Sequence, residues 1–173
     1  MGGSFFSRKF GLFLANEVGE KAIQDSFLKR MDFKIRQAKK DNLPEILSLL
    51  EKLSGTKSDR DKALKIFKEI LKSEFYFLFV ATTDNKVAGT ASIFIAPSPQ
   101  HGRPWGLVDN VVVARKYQRK GIGKKLTEAL ISFAREKDCY KIILTARFTR
   151  SGAHQFWQKL GFKKHGFSFR IDL

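Results

Sequence analysis

The sequence predicts an α+β domain built on a mixed sheet, and two observations carry that prediction. From Met31 onward, runs rich in β-branched and aromatic residues alternate with stretches of helical period, in the order β-α-α-β-β-β-α-β-α-β. Two of those runs, "FYFLFVATT" and "VAGTASIFIA", flank a "DNK" turn and read as a hairpin. With 173 residues, a single domain with one core is expected.

Taken in order, "FKIRQAK" (Phe33 to Lys39) is the first strand. Asp41 is placed to cap the next helix, with Pro44 in its first turn and Ile46, Leu47, Leu49, Leu50 and Leu53 turned inward. "SGTKSD" is a loop, and Ser58 or Asp59 opens a second helix that buries Leu64, Phe67, Ile70 and Leu71. After the hairpin, "PSPQHGRPWG" is a loop dense in Pro and Gly, and "LVDNVVVA" (Leu107 to Ala114) is a central strand. A helix follows from about Gly121 to Lys137, then a strand "YKIILTA" (Tyr140 to Ala146). The helix "SGAHQFWQKLG" ends at Gly161, and "FKKHGFSFRIDL" is expected to supply terminal strand material.

Residues 1–30 read as an N-terminal extension, with residues 31–173 forming the domain. Phe6, Phe10, Phe13, Leu14 and Val18 recur at helical spacing, so the extension is expected to form an amphipathic helix that packs on the domain, on a twin subunit or on a membrane surface. Arg8 and Lys9 interrupt its apolar residues, and Glu17, Glu20 and Asp25 argue against a transit peptide. No apolar run reaches the roughly 18 to 20 residues that a membrane span requires. The single cysteine, Cys139, excludes an internal disulfide and any cysteine zinc cluster. His101, His154 and His165 lack ligand spacing, so no metal is expected. A reducing cytoplasm suits this composition.

The formal net charge of +16 favours an anionic partner, whether nucleic acid, acidic protein, headgroups or a phosphorylated cofactor, unless the lysines only solvate the surface. Six basic residues and no acidic one fall between Arg115 and Lys125. Within that stretch, "QRKGIGKK" joins a Val-rich strand to a helix. A helix N-terminus offers unpaired N–H groups and the positive end of its dipole. Gly121 and Gly123 let a ligand approach the backbone, and Arg119, Lys120, Lys124 and Lys125 add charge. A P-loop is excluded, because Gln118 stands where its first glycine belongs. A dinucleotide fingerprint is excluded because Leu126 replaces its third glycine.

The remaining pattern, Gln118-x-x-Gly121-x-Gly123, resembles the (Arg/Gln)-x-x-Gly-x-(Gly/Ala) signature of the GNAT superfamily of acetyl-CoA-dependent N-acetyltransferases. About 30 residues on, "AHQFWQKLGFKK" is similar to that family's Ala-x-x-Phe-Tyr-x-x-x-Gly-Phe helix and turn. The resemblance covers about 140 residues. It implies a sheet of six to seven strands flanked by about four helices, and transfer of an acetyl group to a primary amine by direct attack. It further implies that backbone amides from Arg119 through Lys120, Gly121, Ile122 and Gly123 to Lys124 hold the pyrophosphate, with Gln118 and Lys120 assisting. Main-chain groups of Val111, Val112 and Val113 would pair with the pantetheine arm.

Asp109 stands where several family members carry a base; alternatively it bonds neighbouring backbone or Arg103. Trp157 replaces the tyrosine that usually protonates the departing thiolate, so water or His154 would serve instead, unless His154 is only a surface histidine. Arg150 stands where many relatives place Asn. Trp105 could line the acceptor site or merely anchor packing, and Tyr117 braces its loop. The acceptor, a small molecule or a protein amino group, is expected to contact the Leu53 to Arg60 loop, the Ala96 to Gly106 loop and the terminal strands. A catalytically weak acetyl-CoA-binding module, or a basic RNA- or ribosome-associated protein on the same scaffold, is the alternative. A homodimer is possible.

Overall fold

The computed structural model describes residues 32–172, so the expected amphipathic helix of the extension lies outside the described residues. Five strands, β1 (Lys34–Gln37), β2 (Tyr76–Thr83), β3 (Lys86–Ala96), β4 (Trp105–Val113) and β5 (Ile142–Leu144), form one sheet in sequential order. All neighbours are antiparallel except β4 and β5, which run parallel. Among the described residues four α-helices accompany them: α1 (Leu43–Ser54), α2 (Arg60–Ile70), α3 (Ile122–Glu136) and α4 (Ser151–Lys159). The α+β class and the mixed sheet are as the sequence predicts, with five strands among the described residues rather than six or seven.

The missing strand material is in the terminal segment. Phe167, Phe169 and Ile171 alternate as a strand would, yet they stand 82%, 94% and 83% exposed. Period-2 patterning supplies a face but not a ladder partner, and without one there is no strand. For the same reason Tyr140 to Ala146 contracts to Ile142–Leu144, the only stretch that pairs with β4. The first strand likewise contracts to Lys34–Gln37.

Local signals explain most boundaries. The first helix is not capped by Asp41. A single 3-10 turn, Lys40–Asn42, precedes it, and the Asn42 side-chain oxygen accepts from the Lys39 N–H and from Arg36, each at 2.9 Å. Asp59 does cap α2, accepting from the N–H groups of Asp61 and Lys62 at 3.1 Å. Asp84 and Asn85 both take positive φ (47° and 59°), the conformation of a tight primed hairpin turn.

Cross-strand partners share a sheet face and successive residues alternate. Leu78, Val80, Val87 and Val112 therefore meet Leu43, Ile46, Leu49 and Phe67 of α1 and α2. On the other face, Phe133 of α3 stands edge-on to Phe77 and Phe79, with centroids 4.5 and 5.3 Å away. Helix α3 comes close to the sheet at Gly89, where an added Cβ would lie 2.9 Å from the Val112 carbonyl oxygen and 3.2 Å from Leu126. A backbone oxygen cannot swing aside as a side chain can. Gly89→Ala is expected to cost about 1–3 kcal/mol, read as a lower urea midpoint; an unchanged midpoint would contradict this packing.

Candidate functional site

The site begins where the sheet splits. β5 pairs with β4 only from Gly106 to Val108, whereas β4 runs on to Val113, held there by β3 alone. Among the described residues, the β4 edge is thus open beyond Val108. Its ladder to β3 is also irregular: Thr90 pairs with Val112 and Ser92 with Asp109, so Asn110 and Val111 together oppose Ala91. This is a β-bulge, and Asn110 takes the left-handed φ of 55° that it requires.

Into this opening α4 presents one face. Ala153, Phe156 and Trp157, spaced i, i+3, i+4, face Val111 and Val113 of β4 and Gly123 of α3 across a cleft of about 230 Å³. The Phe156 and Trp157 rings meet edge to face at 4.8 Å, and Phe162, just after Gly161 (φ 88°), packs on Trp157 at 5.5 Å. Gly123 is tightly placed, since a Cβ there would stand 3.4 Å from Phe156 and 3.7 Å from Val113.

Tyr117, Gln118 and Arg119 form the rim. Arg119 (φ 59°) and Gly121 (φ 77°) turn the chain sharply into α3. The first helical bond runs from the Lys125 N–H to the Gly121 carbonyl at 3.0 Å. The N–H groups of Ile122, Gly123 and Lys124 precede it, and the N-cap Gly121 has no side chain to receive them. No acidic residue occupies that turn.

Several side chains have duties other than those expected. Gln118 donates its amide to the Val113 carbonyl at 3.0 Å, bracing the loop rather than facing an anion. Lys124 and Lys125 both pair with Glu128, at 3.8 and 3.5 Å. The ammonium groups of Lys116 and Lys120 stand 4.7 and 5.9 Å from the Tyr117 ring centroid, which fits the bracing role of that tyrosine. His154 does not line the cleft. Its Nε2 bonds the Arg147 carbonyl at 3.0 Å, closing the β5–α4 loop.

Asp109 is exposed and lies on the opposite face of β4 from the cleft side chains. Its register partner Ser92 pairs in turn with Leu78, a residue of the α1/α2 face. The alternative tie to Arg103 is absent, because Arg103 grips Asp138 with its Nη2 2.6 Å from the carboxylate. The Asp109 carboxylate has no hydrogen bond or ion pair among the described residues. Arg150 donates to the Leu53 carbonyl at 2.9 Å, bringing the start of α4 to the last turn of α1.

The Ala96 to Gly106 loop and Trp105 belong elsewhere. Residues Pro97 to Pro104 line a separate groove with Glu74, Phe75 and Lys137, at the end of α3 remote from Gly123. The length of α3, 15 residues, corresponds to about 22 Å. Trp105 opens β4 opposite Ala96, about 20 Å of extended strand before Val111. Neither borders the cleft. Cys139 is partly buried; burial and then the Asp138 carboxylate push its thiol up, with Arg103 opposing. That suits a packed thiol.

The family model for the acetyltransferase (GNAT) family matches residues 43–162. The chain belongs to the GNAT family. A glucosamine 6-phosphate N-acetyltransferase of Trypanosoma brucei brucei is 35% identical over 97 residues, covering 56% of this chain and 64% of that protein, just under two thirds of its length. The corresponding enzyme 1 of Dictyostelium discoideum is 28% identical over 128 residues, covering 72% and 80%. Among solved structures, an acetyltransferase of Trypanosoma brucei superposes with a TM-score of 0.72 at 29% identity, covering 82% of this chain and 100% of that one. In this GNAT chain both motifs border one cleft, Gln118-x-x-Gly121-x-Gly123 along its rim and the Phe156-Trp157 pair on its wall.

The sequence reading missed Tyr76, Ser92 and Asn110, which bond one another beneath the bulge. One signal was present: Asn110 interrupts a run of valines, and Asn is a poor strand former.

Proposed function

We propose that this chain transfers the acetyl group of acetyl-CoA to a primary amine in the cytoplasm, with a phosphorylated amino sugar as the acceptor. The observation that carries this reading is the β4 edge opening beside the unpaired amides of α3. The cleft geometry fits the cosubstrate: a flat apolar wall, an open strand edge and an anion-accepting helix start follow one another along it. In this reading the N–H groups of Ile122, Gly123 and Lys124 hold the pyrophosphate, and Val111 to Val113 pair with the pantetheine amides as an added strand.

The amine enters from the α1/α2 face, where Asp109 accepts its proton directly or through one water as nitrogen bonds to the thioester carbon. The C–S bond then breaks. Trp157 donates an indole hydrogen bond to the thiolate but keeps its proton, so water protonates the sulfur. The names of the two sugar-phosphate relatives support the acceptor class, as does the basic surface of the chain. Lys57 and Arg60, in and after the α1–α2 loop, are the candidate phosphate contacts. None of the helices among the described residues is long and apolar enough to cross a membrane.

The test is CoA release with glucosamine 6-phosphate, glucosamine, an aminoglycoside and a peptide amine. The sugar phosphate is expected to give kcat/KM at least tenfold above glucosamine. Equal rates on both would remove the phosphate from the acceptor. Acetyl-CoA binding without release on any amine would identify a catalytically silent module. RNA binding that falls steeply with salt, without acetyl-CoA binding, would favour the nucleic-acid reading.

A further inference from the structure

The β4 bulge is held by a closed ring of side chains. Asn110 donates from Nδ2 to the Tyr76 hydroxyl at 3.3 Å, and the Tyr76 hydroxyl donates to Ser92 Oγ at 2.9 Å. The Ser92 hydroxyl donates in turn to the Asp109 carbonyl at 3.0 Å. Asp109 and Asn110 are consecutive, so the peptide bond between them closes the ring. Ser92 is wholly buried, and the start of β2 is itself pinned by the Tyr76 N–H donating to Ser73 Oγ at 2.9 Å.

A bulge ordinarily disrupts the ladder and leaves its residues less determined. Here two hydroxyls and an amide, drawn from three different strands, occupy the space where ladder bonds are lost. Ser92 is on β3, next to the Ala91 that faces the bulge, and Tyr76 is one strand further away. An apolar core at these positions would pack as well, but it would not fix the carbonyl orientation of Asp109 or the left-handed Asn110. The cost of burying these polar groups is offset only because each has its partner.

We propose that Tyr76, Ser92 and Asn110 are positioning residues that set the bulge, and through it the alignment of the Asp109 carboxylate with the open β4 edge at Val111. This rests on the acetyltransferase reading above. None of the three is among the residues that line the cleft, so they act on the geometry of transfer rather than on cosubstrate affinity. A small misplacement of reacting groups is expensive, on the order of 10²-fold per ångström.

The experiment compares wild type with Tyr76→Phe, Asn110→Gly and the double variant. Tyr76→Phe removes one hydroxyl from a half-buried ring, and Asn110→Gly keeps the positive φ while deleting the amide. Each is expected to lower kcat about tenfold, with the acetyl-CoA dissociation constant within twofold of wild type. The double variant is expected to lose little more than either single one, because both break the same ring. Amide hydrogen exchange at Asp109 to Val113 is expected to rise in all three.

Unchanged kcat in an active protein overturns the clamp and leaves the acetyltransferase reading standing. A kcat loss matched by an equal loss of acetyl-CoA affinity overturns it too, since that marks general loosening. A wild type inactive on every amine overturns the acetyltransferase reading instead. In that case unchanged exchange at the bulge still refutes the clamp.

Discussion

Asp109→Asn is expected to lower kcat by about 100- to 1,000-fold, within the span usual for loss of a general base. The side chain keeps its size and its position on β4, so acetyl-CoA affinity should remain within twofold. The carboxylate lies on the face shared with α1 and α2, away from Val111 and Val113. It also has no cationic partner among the described residues, in a chain with 33 Lys and Arg against 17 Asp and Glu. Arg103, the partner considered from the sequence, is committed to Asp138. Steady-state kinetics with saturating acetyl-CoA checks the prediction. A kcat within threefold of wild type would remove Asp109 from the proton path and leave water as the base.

Gly123→Val is expected to weaken acetyl-CoA binding by at least about 100-fold, which is about 2.7 kcal/mol. Even a Cβ at this position stands 3.4 Å from Phe156 and 3.7 Å from Val113, so the two valine methyls must project into the cleft. The backbone φ at Gly123 is not in the left-handed region, unlike that at Gly121, so the fold tolerates a side chain there. Calorimetry of acetyl-CoA binding, with circular dichroism to show an intact helix, separates occlusion from unfolding. Affinity within threefold of wild type would place the cosubstrate elsewhere. Gly121→Val is a poorer probe, because a β-branched residue at φ 77° strains the backbone whatever the ligand does.

In the proposed reaction a donor side and an acceptor side meet across one strand, and three structural facts together underlie that arrangement. β5 is only three residues long, β4 outlasts it, and the bulge shifts the alternation of β4 just before Val111. Shortening of β5 opens the edge, while α4 closes the cleft from the far side with Phe156 and Trp157. Arg150, bonded to the Leu53 carbonyl, ties that helix to the end of α1 on the other face.

Much of this was legible in the residues themselves. The hairpin at Asp84 and Asn85, the cap at Asp59, the helix following Gly121 and the helix ending at Gly161 each depend on a few neighbouring residues. Local chemistry of that kind is written within one turn or one strand. The two glycine-bearing motifs were equally readable, because close backbone approach demands glycine wherever the chain later places it.

The tertiary structure alone decided the rest. Whether Gln118 faces an anion or the Val113 carbonyl, and whether His154 reaches the cleft or Arg147, depends on how β4, the loop and α4 are set against one another. The face of β4 to which Asp109 belongs depends on register, and one extra residue at Asn110 changes it. The ring that holds this bulge joins Ser92 to a carbonyl 17 residues on, and Arg150 reaches a carbonyl 97 residues back. Periodicity can name a buried face, but a partner at that distance exists only once the sheet has assembled. The terminal run of Phe167, Phe169 and Ile171 makes the same point from the other side: its pattern is that of a strand, and no ladder receives it among the described residues.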